Sequence, residues 1–233
     1  MTDTSGFRRG RFITFEGGEG AGKSTQLARL ADRLMESGYG ILTTREPGGS
    51  PGAEAIRHVL LSGAAKPLGT AAEAILFGAA RADHVASAIE PALASGKWVL
   101  CDRFIDSTRV YQGALGEVDP RLIRALERVS VGAIRPDLTL VLDVPAELGL
   151  ARAQDRSGAQ GRSGAADRFE SEDMTFHRTL REAYRQLAER EPNRCILIDA
   201  SRKADEVAAA IWQAVTSRLI VPDMLAQARE VLG

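Results

Sequence analysis

Residues 11–25, RFITFEGGEGAGKST, carry the strongest structural signal in this sequence of 233 residues. RFITFEG (11–17) predicts a short buried strand, because apolar and β-branched residues are followed at once by glycines. Residues 17–24 match the pattern G-x4-G-K-S/T of a phosphate-binding P-loop, and a predicted helix follows. Backbone N–H groups of such a loop surround phosphates at the positive end of the helix. The stretch therefore predicts a site for a nucleoside triphosphate.

The residues of this loop have distinct predicted roles. Lys23 is expected to reach the β- and γ-phosphates, and the hydroxyl of Ser24 is expected to hold Mg²⁺. Glu19 is unusual, because a carboxylate inside a phosphate-binding loop repels the ligand unless it points away from the triphosphate. The predicted nucleotide-binding set is Gly17, Gly18, Glu19, Gly20, Ala21, Gly22, Lys23, Ser24 and Thr25.

Strands and helices alternate along the rest of the chain. Further strands are predicted at 40–44, 97–102, 138–144 and 195–199. Helices are predicted at 24–36, 53–62, 70–95, 119–131, 146–155, 170–190 and 203–218, and Pro91 is expected to kink the third of these or to split off its last turn. The segment after the third strand is expected to be a loop. Strands that alternate with helices imply a parallel sheet covered on both faces. No linker divides the chain, so we expect one α/β domain over residues 1–233, a five-stranded P-loop NTPase fold.

Composition excludes several classes of protein. The 30 Lys+Arg and 31 Asp+Glu residues nearly cancel, which argues against non-specific binding to nucleic acid. No apolar run approaches the roughly 18 residues that a membrane-spanning helix needs, and the start of the chain lacks the apolar segment of a signal peptide. Cys101 and Cys195 fit neither a disulfide framework nor a zinc site, and both are expected to be inert core thiols. We therefore expect a cytoplasmic protein without nucleic-acid or membrane partners.

Charged residues follow several of the predicted strands. Asp102 and Asp143 each end a strand, and either is suited to the metal of a P-loop site, so position alone does not choose between them. Arg45 follows the second strand and Arg103 the third. Because strand ends of an open α/β sheet face the ligand crevice, and because guanidinium groups grip phosphate through two donors, these arginines indicate a second phosphate beside the P-loop.

The segment RSGAQGRSGAAD (156–167) is rich in Gly, Ser and Ala, and it predicts a small mobile lid at about 152–168. A lid of this kind folds over bound nucleotide, excludes water and brings a cation to the transferred phosphoryl group. The arginines that flank or populate it are Arg152, Arg156, Arg162 and Arg168.

No pair of nucleophile and base is recognisable in the sequence. His58, His84 and His177 are scattered without ligand spacing, and no role is predicted for them. A kinase that phosphorylates an alcohol benefits from a catalytic base, whereas a phosphate monoester is already mostly ionised at pH 7, with a second pKa near 6. Arginines without an evident base therefore suit a phosphate acceptor.

Several motifs in order resemble those of bacterial thymidylate kinases. They are FEGGEGAGKST, TREPGG (44–49), ILFGAAR (75–81), DRF after the third strand, STRVYQG (107–113), RPDLTLVLDV (135–144) and DRFE (167–170). The resemblance runs from about Arg11 to Ser217. It implies transfer of the γ-phosphoryl group from ATP to dTMP, with Mg²⁺, in a homodimer, as a step in dTTP synthesis.

The resemblance also implies which residues bind the acceptor. Phe77 is implied to stack on thymine and Arg81 to bond a base carbonyl, while Arg45 and Arg103 hold the phosphate. Tyr111 is implied to lie under the sugar and to disfavour a 2′-hydroxyl. The full implied set is Glu19, Arg45, Phe77, Arg81, Arg103, Ser107, Thr108, Tyr111 and Gln112.

Gly20 distinguishes two branches of this family. One branch carries arginine there and uses it on the ATP phosphates, whereas this sequence resembles the bacterial branch, which supplies a cation from the lid. Arg156 is the implied lid cation beside the catalytic Lys23 and Arg103, although the extra Gly/Ser/Ala residues leave Arg152 and Arg162 as alternatives. The resemblance favours Asp102 over Asp143 near Mg²⁺, and it gives no role to the C-terminal extension 219–233.

Two other functions stay open on the sequence alone. One is a P-loop kinase for another acceptor, such as UMP or a small alcohol. The other is a nucleotide-binding switch or an assembly ATPase, against which the predicted acceptor arginines and Phe77 argue. The sequence contains no N-K-x-D motif, which argues against guanine-dependent control.

Overall fold

A parallel sheet lies at the centre of the part of the chain that the computed structural model describes, residues 9–159 and 172–221. Its five strands are β1 (Phe12–Glu16), β2 (Ile41–Arg45), β3 (Trp98–Asp102), β4 (Leu138–Asp143) and β5 (Cys195–Asp199), in the order β2-β3-β1-β4-β5. Every neighbouring pair is parallel. The predicted fold class is therefore confirmed.

The connections between strands are helical, and their bounds are as follows. The α-helices are α1 (Lys23–Glu36), α2 (Pro51–Leu61), α3 (Thr70–His84), α4 (Glu90–Ala94), α5 (Ile105–Thr108), α6 (Pro120–Val131), α7 (Ala146–Ala159), α8 (Met174–Arg190) and α9 (Ala204–Val215). A 3-10 turn covers Lys66–Leu68, and π-helical turns cover Val85–Ile89, Arg109–Leu115 and Thr216–Ile220.

Alternate side chains of each central strand enter cores on opposite faces of the sheet. In β1, Ile13 and Phe15 pack with residues of α1 and α9, whereas Phe12 packs with Val85 and Ile89 on the other face. This alternation follows from the pleat, in which successive side chains point to opposite faces. Both faces are buried because helices cover both, as expected for a parallel sheet.

The segment after β3 differs from the prediction. It was expected to be a loop, but α5 and the π-helical turn Arg109–Leu115 make it almost wholly helical. Its β-branched and aromatic residues have modest helix propensity, so local signals were weak. Val110 and Tyr111 are buried against Leu180 and Tyr184 of α8, and this tertiary packing stabilises the helical form.

The remaining boundaries agree within a few residues, with two informative differences. The long predicted helix at 70–95 is interrupted by a π-helical turn directly before Pro91, which lacks the N–H for a regular helical bond. Helix α7 continues to Ala159, past the predicted end at 155. Most of the predicted lid lies outside the described residues, as does the C-terminal extension from residue 222 onward.

The register brings the carboxyl ends of the strands to one edge of the sheet. Asp102 pairs with both Phe15 and Arg45, so the carboxyl-terminal ends of β1, β2 and β3 lie side by side. This edge is where open α/β sheets bind ligands. Within the described residues, no helix has the length and apolar character of a membrane span. The predicted cytoplasmic location and single-domain organisation stay predictions.

Candidate active site

A cavity of about 290 Å³ opens at this edge of the sheet. Every residue of the predicted acceptor set lines it, and so do Gly20, Lys23, Ser24 and Asp102. Five lining residues were not predicted from the sequence, namely Glu46, Pro47, Arg57, Leu61 and Phe104. The structure therefore brings the predicted acceptor residues together around one cavity, and further residues complete its wall.

The P-loop joins β1 to α1 and approaches α7 closely at Gly20. Gly20 has a φ of 66°, in the left-handed region, and a Cβ atom built there lies 1.8 Å from the carbonyl oxygen of Gly149 in α7. No side chain fits without moving one of the two backbones. An arginine at position 20 is therefore incompatible with this packing.

Lys23 lies against the loop that precedes it. Its Nζ donates hydrogen bonds to the carbonyl oxygens of Gly17 at 3.0 Å and Gly18 at 2.8 Å. Burial and the nearby guanidinium of Arg103 lower the pKa of Lys23, while surrounding carboxylates act in the opposite direction. The cation is thus held at the mouth of the loop, where phosphate oxygens are strong acceptors.

The two predicted metal-binding residues meet in the structure. Ser24 Oγ donates a hydrogen bond of 2.6 Å to Asp102 Oδ2 at the edge of the cavity. Asp143 instead accepts bonds from Arg181 at 2.6 and 2.9 Å and from Arg185 at 2.8 Å, so its oxygens are engaged elsewhere. A hydroxyl and a carboxylate fit Mg²⁺, which binds protein through one or two such oxygens and completes its shell with water and phosphate.

Glu19 points toward the acceptor residues rather than along the P-loop. Its Oε1 accepts hydrogen bonds from Arg103 Nη2 at 2.9 Å and Tyr111 Oη at 2.7 Å, and its Oε2 lies 3.5 Å from His177 Nδ1. Burial raises the pKa of Glu19, but His177, Arg103, Lys23 and Tyr111 together outweigh it, and the pKa lies well below its usual range. Glu19 is therefore a carboxylate that holds Arg103.

Arg103 has an unusual backbone conformation, and the buried carboxylate of Glu16 supports the residues that follow it. Its φ of 68° is rare for a residue with a side chain and costs of the order of 1–3 kcal/mol. The next residue, Phe104, donates its N–H to Glu16 Oε1 at 2.8 Å, while Glu16 Oε2 accepts from Ser107 Oγ at 2.7 Å and Tyr184 Oη at 2.9 Å. Glu16 thus anchors the chain that follows Arg103.

The buried carboxylate of Glu16 has a strongly perturbed pKa. Burial and the nearby charge of Asp106 raise the pKa of Glu16 to about 7, although the bonds from Ser107 and Phe104 oppose the rise. Asp106 is itself fully buried and forms ion pairs with Arg194 and Arg109.

A second buried carboxylate, Glu46, fixes the orientation of Arg81. Glu46 Oε2 accepts from Arg81 Nε at 2.7 Å, and Glu46 Oε1 lies 3.1 Å from His84 Nδ1. Thr44 Oγ1 meets the other nitrogen of His84 at 2.7 Å. Arg81 Nη2 donates to the carbonyl of Phe104 and to Thr108 Oγ1. The predicted base-binding arginine is therefore positioned by the residues that follow β2 and β3 and by α5.

Arg45 lies in a more open setting at the end of β2. Arg45 Nη2 forms an ion pair of 3.0 Å with Glu54, and the two side chains are 56% and 43% exposed. Arg57 donates to the carbonyl of Pro47 at 2.5 Å and lines the same cavity. Arg45, Arg57 and Arg103 thus bring three guanidinium groups to the acceptor end of the cavity.

Of the predicted lid arginines, Arg152 is the one whose side chain is described. Its guanidinium donates to the carbonyls of Ala200 at 2.8 Å and Ser201 at 3.2 Å, so it bonds the segment after β5. The backbone of Arg156 lies in α7, but its side chain is outside the described part, as are Arg162 and Arg168 entirely.

Comparison with known proteins identifies the family. A family model described as thymidylate kinase matches residues 15–211. The chain belongs to the thymidylate kinase family. It is 60% identical over 212 residues to a thymidylate kinase of Bradyrhizobium diazoefficiens, covering 91% of each chain. It is 61% identical over 215 residues to one of Rhodopseudomonas palustris, covering 92% of each. A crystal structure of thymidylate kinase from Ehrlichia chaffeensis is similar with a TM-score of 0.71 at 32% identity, over 89% of this chain and 99% of that one.

The supporting residues that were not predicted from the sequence differ in how strong their sequence signals were. Glu16 is an acid at the end of an apolar run, and His84 follows Arg81 by three positions, which places both on one helix face. Those two signals were available. His177 lies 158 positions from Glu19 in the chain, and nothing local links the two.

Proposed function

We propose that this protein transfers the γ-phosphoryl group of ATP to dTMP and forms dTDP. The observation that carries the proposal is that one cavity contains both the P-loop residues Lys23 and Ser24 and the acceptor residues Arg103 and Phe77. A donor phosphate at the P-loop and an acceptor phosphate at Arg103 therefore share one cavity. An ATPase or a nucleotide-binding switch does not need the acceptor residues of this cavity.

Catalysis consists of positioning and electrostatic stabilisation. The P-loop amides and Lys23 neutralise the donor phosphates, and Arg103 orients the acceptor phosphate for in-line attack. A phosphate acceptor is already mostly ionised at pH 7, so no residue has to remove a proton from it.

Ser24 and Asp102 are the residues that would hold Mg²⁺. When bound, the ion supplies charge neutralisation and orientation of the phosphate oxygens. The oxygen donors of both side chains and their short separation of 2.6 Å support this assignment.

The acceptor base and sugar have proposed contacts of their own. Phe77 stacks on thymine, Arg81 bonds a base carbonyl, and Thr108 and Gln112 lie beside the ring. Tyr111, which is buried and bonded to Glu19, lies under the sugar and disfavours a 2′-hydroxyl. The rigid support of Arg81 by Glu46 is consistent with recognition of a single base edge.

Arg156 is the proposed lid cation, and homodimer formation is the proposed assembly. Support for Arg156 is its place in α7, the helix that contacts the P-loop at Gly20. Support for a dimer is that Ile75 of α3 and Val129 of α6 are 49% and 82% exposed on two helices packed side by side. Sedimentation of a Val129→Glu variant tests this face, and an unchanged oligomeric state contradicts it.

One assay tests the proposed function. The protein is incubated with MgATP and, in parallel, dTMP, dUMP, UMP, CMP or shikimate, and ADP release is followed. We expect dTMP to support the highest rate. ADP release without an acceptor indicates an ATPase, and a higher rate with UMP contradicts both dTMP specificity and the role of Tyr111.

A further inference from the structure

His177 lies behind the P-loop and outside the residues so far given a role in the reaction. It is in the first turn of α8 and is 5% exposed. Its Nδ1 is 3.5 Å from Oε2 of Glu19, the carboxylate whose other oxygen binds Arg103 and Tyr111. Glu19 therefore stands between His177 on one side and the acceptor-facing Arg103 on the other.

Glu19 and His177 each have a buried polar atom that makes no hydrogen bond within the described part of the chain. Among the described residues, Glu19 Oε2 and His177 Nε2 have no hydrogen-bond partner. A small cavity of about 20 Å³, lined by both side chains, is large enough for a single water molecule. Buried polar atoms without partners are costly, which points to a function for this arrangement rather than to packing alone.

We infer that His177 is a positioning residue, which holds the Glu19 carboxylate from the side opposite Arg103 and thereby fixes the Arg103 guanidinium toward the acceptor phosphate. This inference rests on the proposed function. The protonated imidazole also offsets the charge of Glu19, which otherwise repels the acceptor dianion. His177 does not touch substrate, and its effect is transmitted through Glu19.

The charges around His177 favour its cationic form. The facing carboxylate of Glu19 raises the pKa of His177 against the opposing effect of burial, and Glu172, just before α8, adds to the rise. Asp143 and Arg181 line the same small cavity, but they are paired with each other. Tyr184 also lines it, and its pKa is raised well above its usual value by burial, so it stays neutral.

The decisive experiment compares the KM for dTMP of wild type and His177→Gln between about pH 6 and pH 9. Glutamine is neutral at every pH, whereas the imidazole loses its proton as the pH rises. We expect the KM of the variant to exceed that of wild type by about 5-fold at pH 6 and to approach it at pH 9, as for loss of one charge-assisted bond. A ratio that is constant with pH indicates a merely structural role and overturns the inference.

Two further variants show whether the effect passes through Glu19. His177→Phe removes the donor, and we expect it to raise the KM for dTMP by about 10-fold or more while the KM for ATP changes less than about 2-fold. In a Glu19→Gln background, the same substitution is expected to have almost no further effect. Additive losses in the double variant contradict transmission through Glu19.

The controls separate this inference from the proposed function. His58→Gln removes an exposed histidine of α2 and is expected to reproduce the wild-type pH profile. Turnover of dTMP by wild type tests the proposed function by itself. If that turnover is absent, calorimetric binding of dTMP to the same variants gives the pH-dependent ratio, and an unchanged ratio still overturns the role of His177.

Discussion

The donor and acceptor halves of the cavity are built by different means. The donor half is one continuous stretch, residues 17–25, which presents backbone groups and a single lysine. The acceptor half is assembled from β2, α2, α3 and the segment after β3. Two of its arginines are held by buried carboxylates, Arg103 by Glu19 and Arg81 by Glu46, and the buried Glu16 anchors the chain that follows Arg103. One half depends on local backbone geometry, and the other depends on buried carboxylates that come from distant positions.

This difference arises because the two ligands are recognised by different kinds of protein group. A triphosphate is recognised by N–H groups at the end of a helix, which any chain of the right conformation supplies. A particular nucleoside monophosphate needs guanidinium groups at fixed angles, and long flexible side chains are fixed only by partners that cost desolvation to bury. Four tests by substitution sharpen or break the distinction.

Lys23→Ala tests the single side chain on which the donor half depends. We expect the rate to fall by about 10²–10³-fold or more, because the variant lacks the cation that neutralises the transferred group. Steady-state kinetics with MgATP and dTMP measure the effect, and circular dichroism should show an intact fold. Near-normal turnover contradicts the proposed mechanism.

Glu16→Gln tests the deepest carboxylate of the acceptor half through the pH dependence of stability. The pKa of Glu16 is raised to about 7 in the folded protein, so the folded state binds a proton that the unfolded state has released. Its contribution to stability is therefore full below about pH 4.5 and is lost as the pH rises through 7. The loss amounts to about 3 kcal/mol for a shift of this size.

Urea unfolding between pH 5 and pH 8 measures this effect as a difference between two curves. We expect the free energy of unfolding of wild type to decline relative to that of Glu16→Gln over this range. Parallel curves show that Glu16 stays ionised throughout, which contradicts its raised pKa in the folded protein.

The sequence predicted the donor half well and the acceptor half unevenly, for reasons that follow from this contrast. The P-loop and the strand and helix on either side of it are local features, so periodicity and glycine spacing predicted them. Ser107 and Tyr111 were named through a family resemblance, while the segment that carries them was expected to be a loop. Its helical form depends on burial against α8, which begins about 60 positions later.

Supporting residues were the hardest to predict from sequence. Glu46 lies within the quoted TREPGG motif, yet its contact with Arg81 depends on how α3 packs beside β2. His177 and Glu19 are brought together by α8 packing behind the P-loop. Such pairs have no periodicity, because their spacing is set by topology and not by one helix or strand.

Gly20→Ala tests the backbone dependence of the donor half against Gly38→Ala as a matched control. Both glycines have positive φ, but a Cβ at Gly38 meets nothing within 4 Å, whereas at Gly20 it meets Gly149 O at 1.8 Å. We expect Gly38→Ala to cost about 1 kcal/mol in unfolding free energy and Gly20→Ala about 2–3 kcal/mol. Equal losses in urea denaturation contradict a role for contact with α7.

The smallest expected effects come from two Arg–Glu pairs that differ chiefly in burial. Arg81 and Glu46 are 4% and 5% exposed, whereas Arg45 and Glu54 are 56% and 43% exposed. Glu46→Gln leaves a buried guanidinium without its charge partner. We therefore expect the free energy of unfolding to fall by about 2 kcal/mol and the KM for dTMP to rise. Glu54→Gln removes an ion pair that solvent screens, and we expect the free energy of unfolding to change by about 0.5 kcal/mol or less.

Measuring KM for ATP in the same two variants separates the halves of the cavity. If buried carboxylates build only the acceptor half, Glu46→Gln raises the KM for dTMP and leaves that for ATP within about 2-fold. If both constants rise together, Glu46 supports the whole edge of the sheet and the two halves are not independent. A Glu54→Gln effect as large as that of Glu46→Gln means that charge at the acceptor end, and not burial, fixes the arginines.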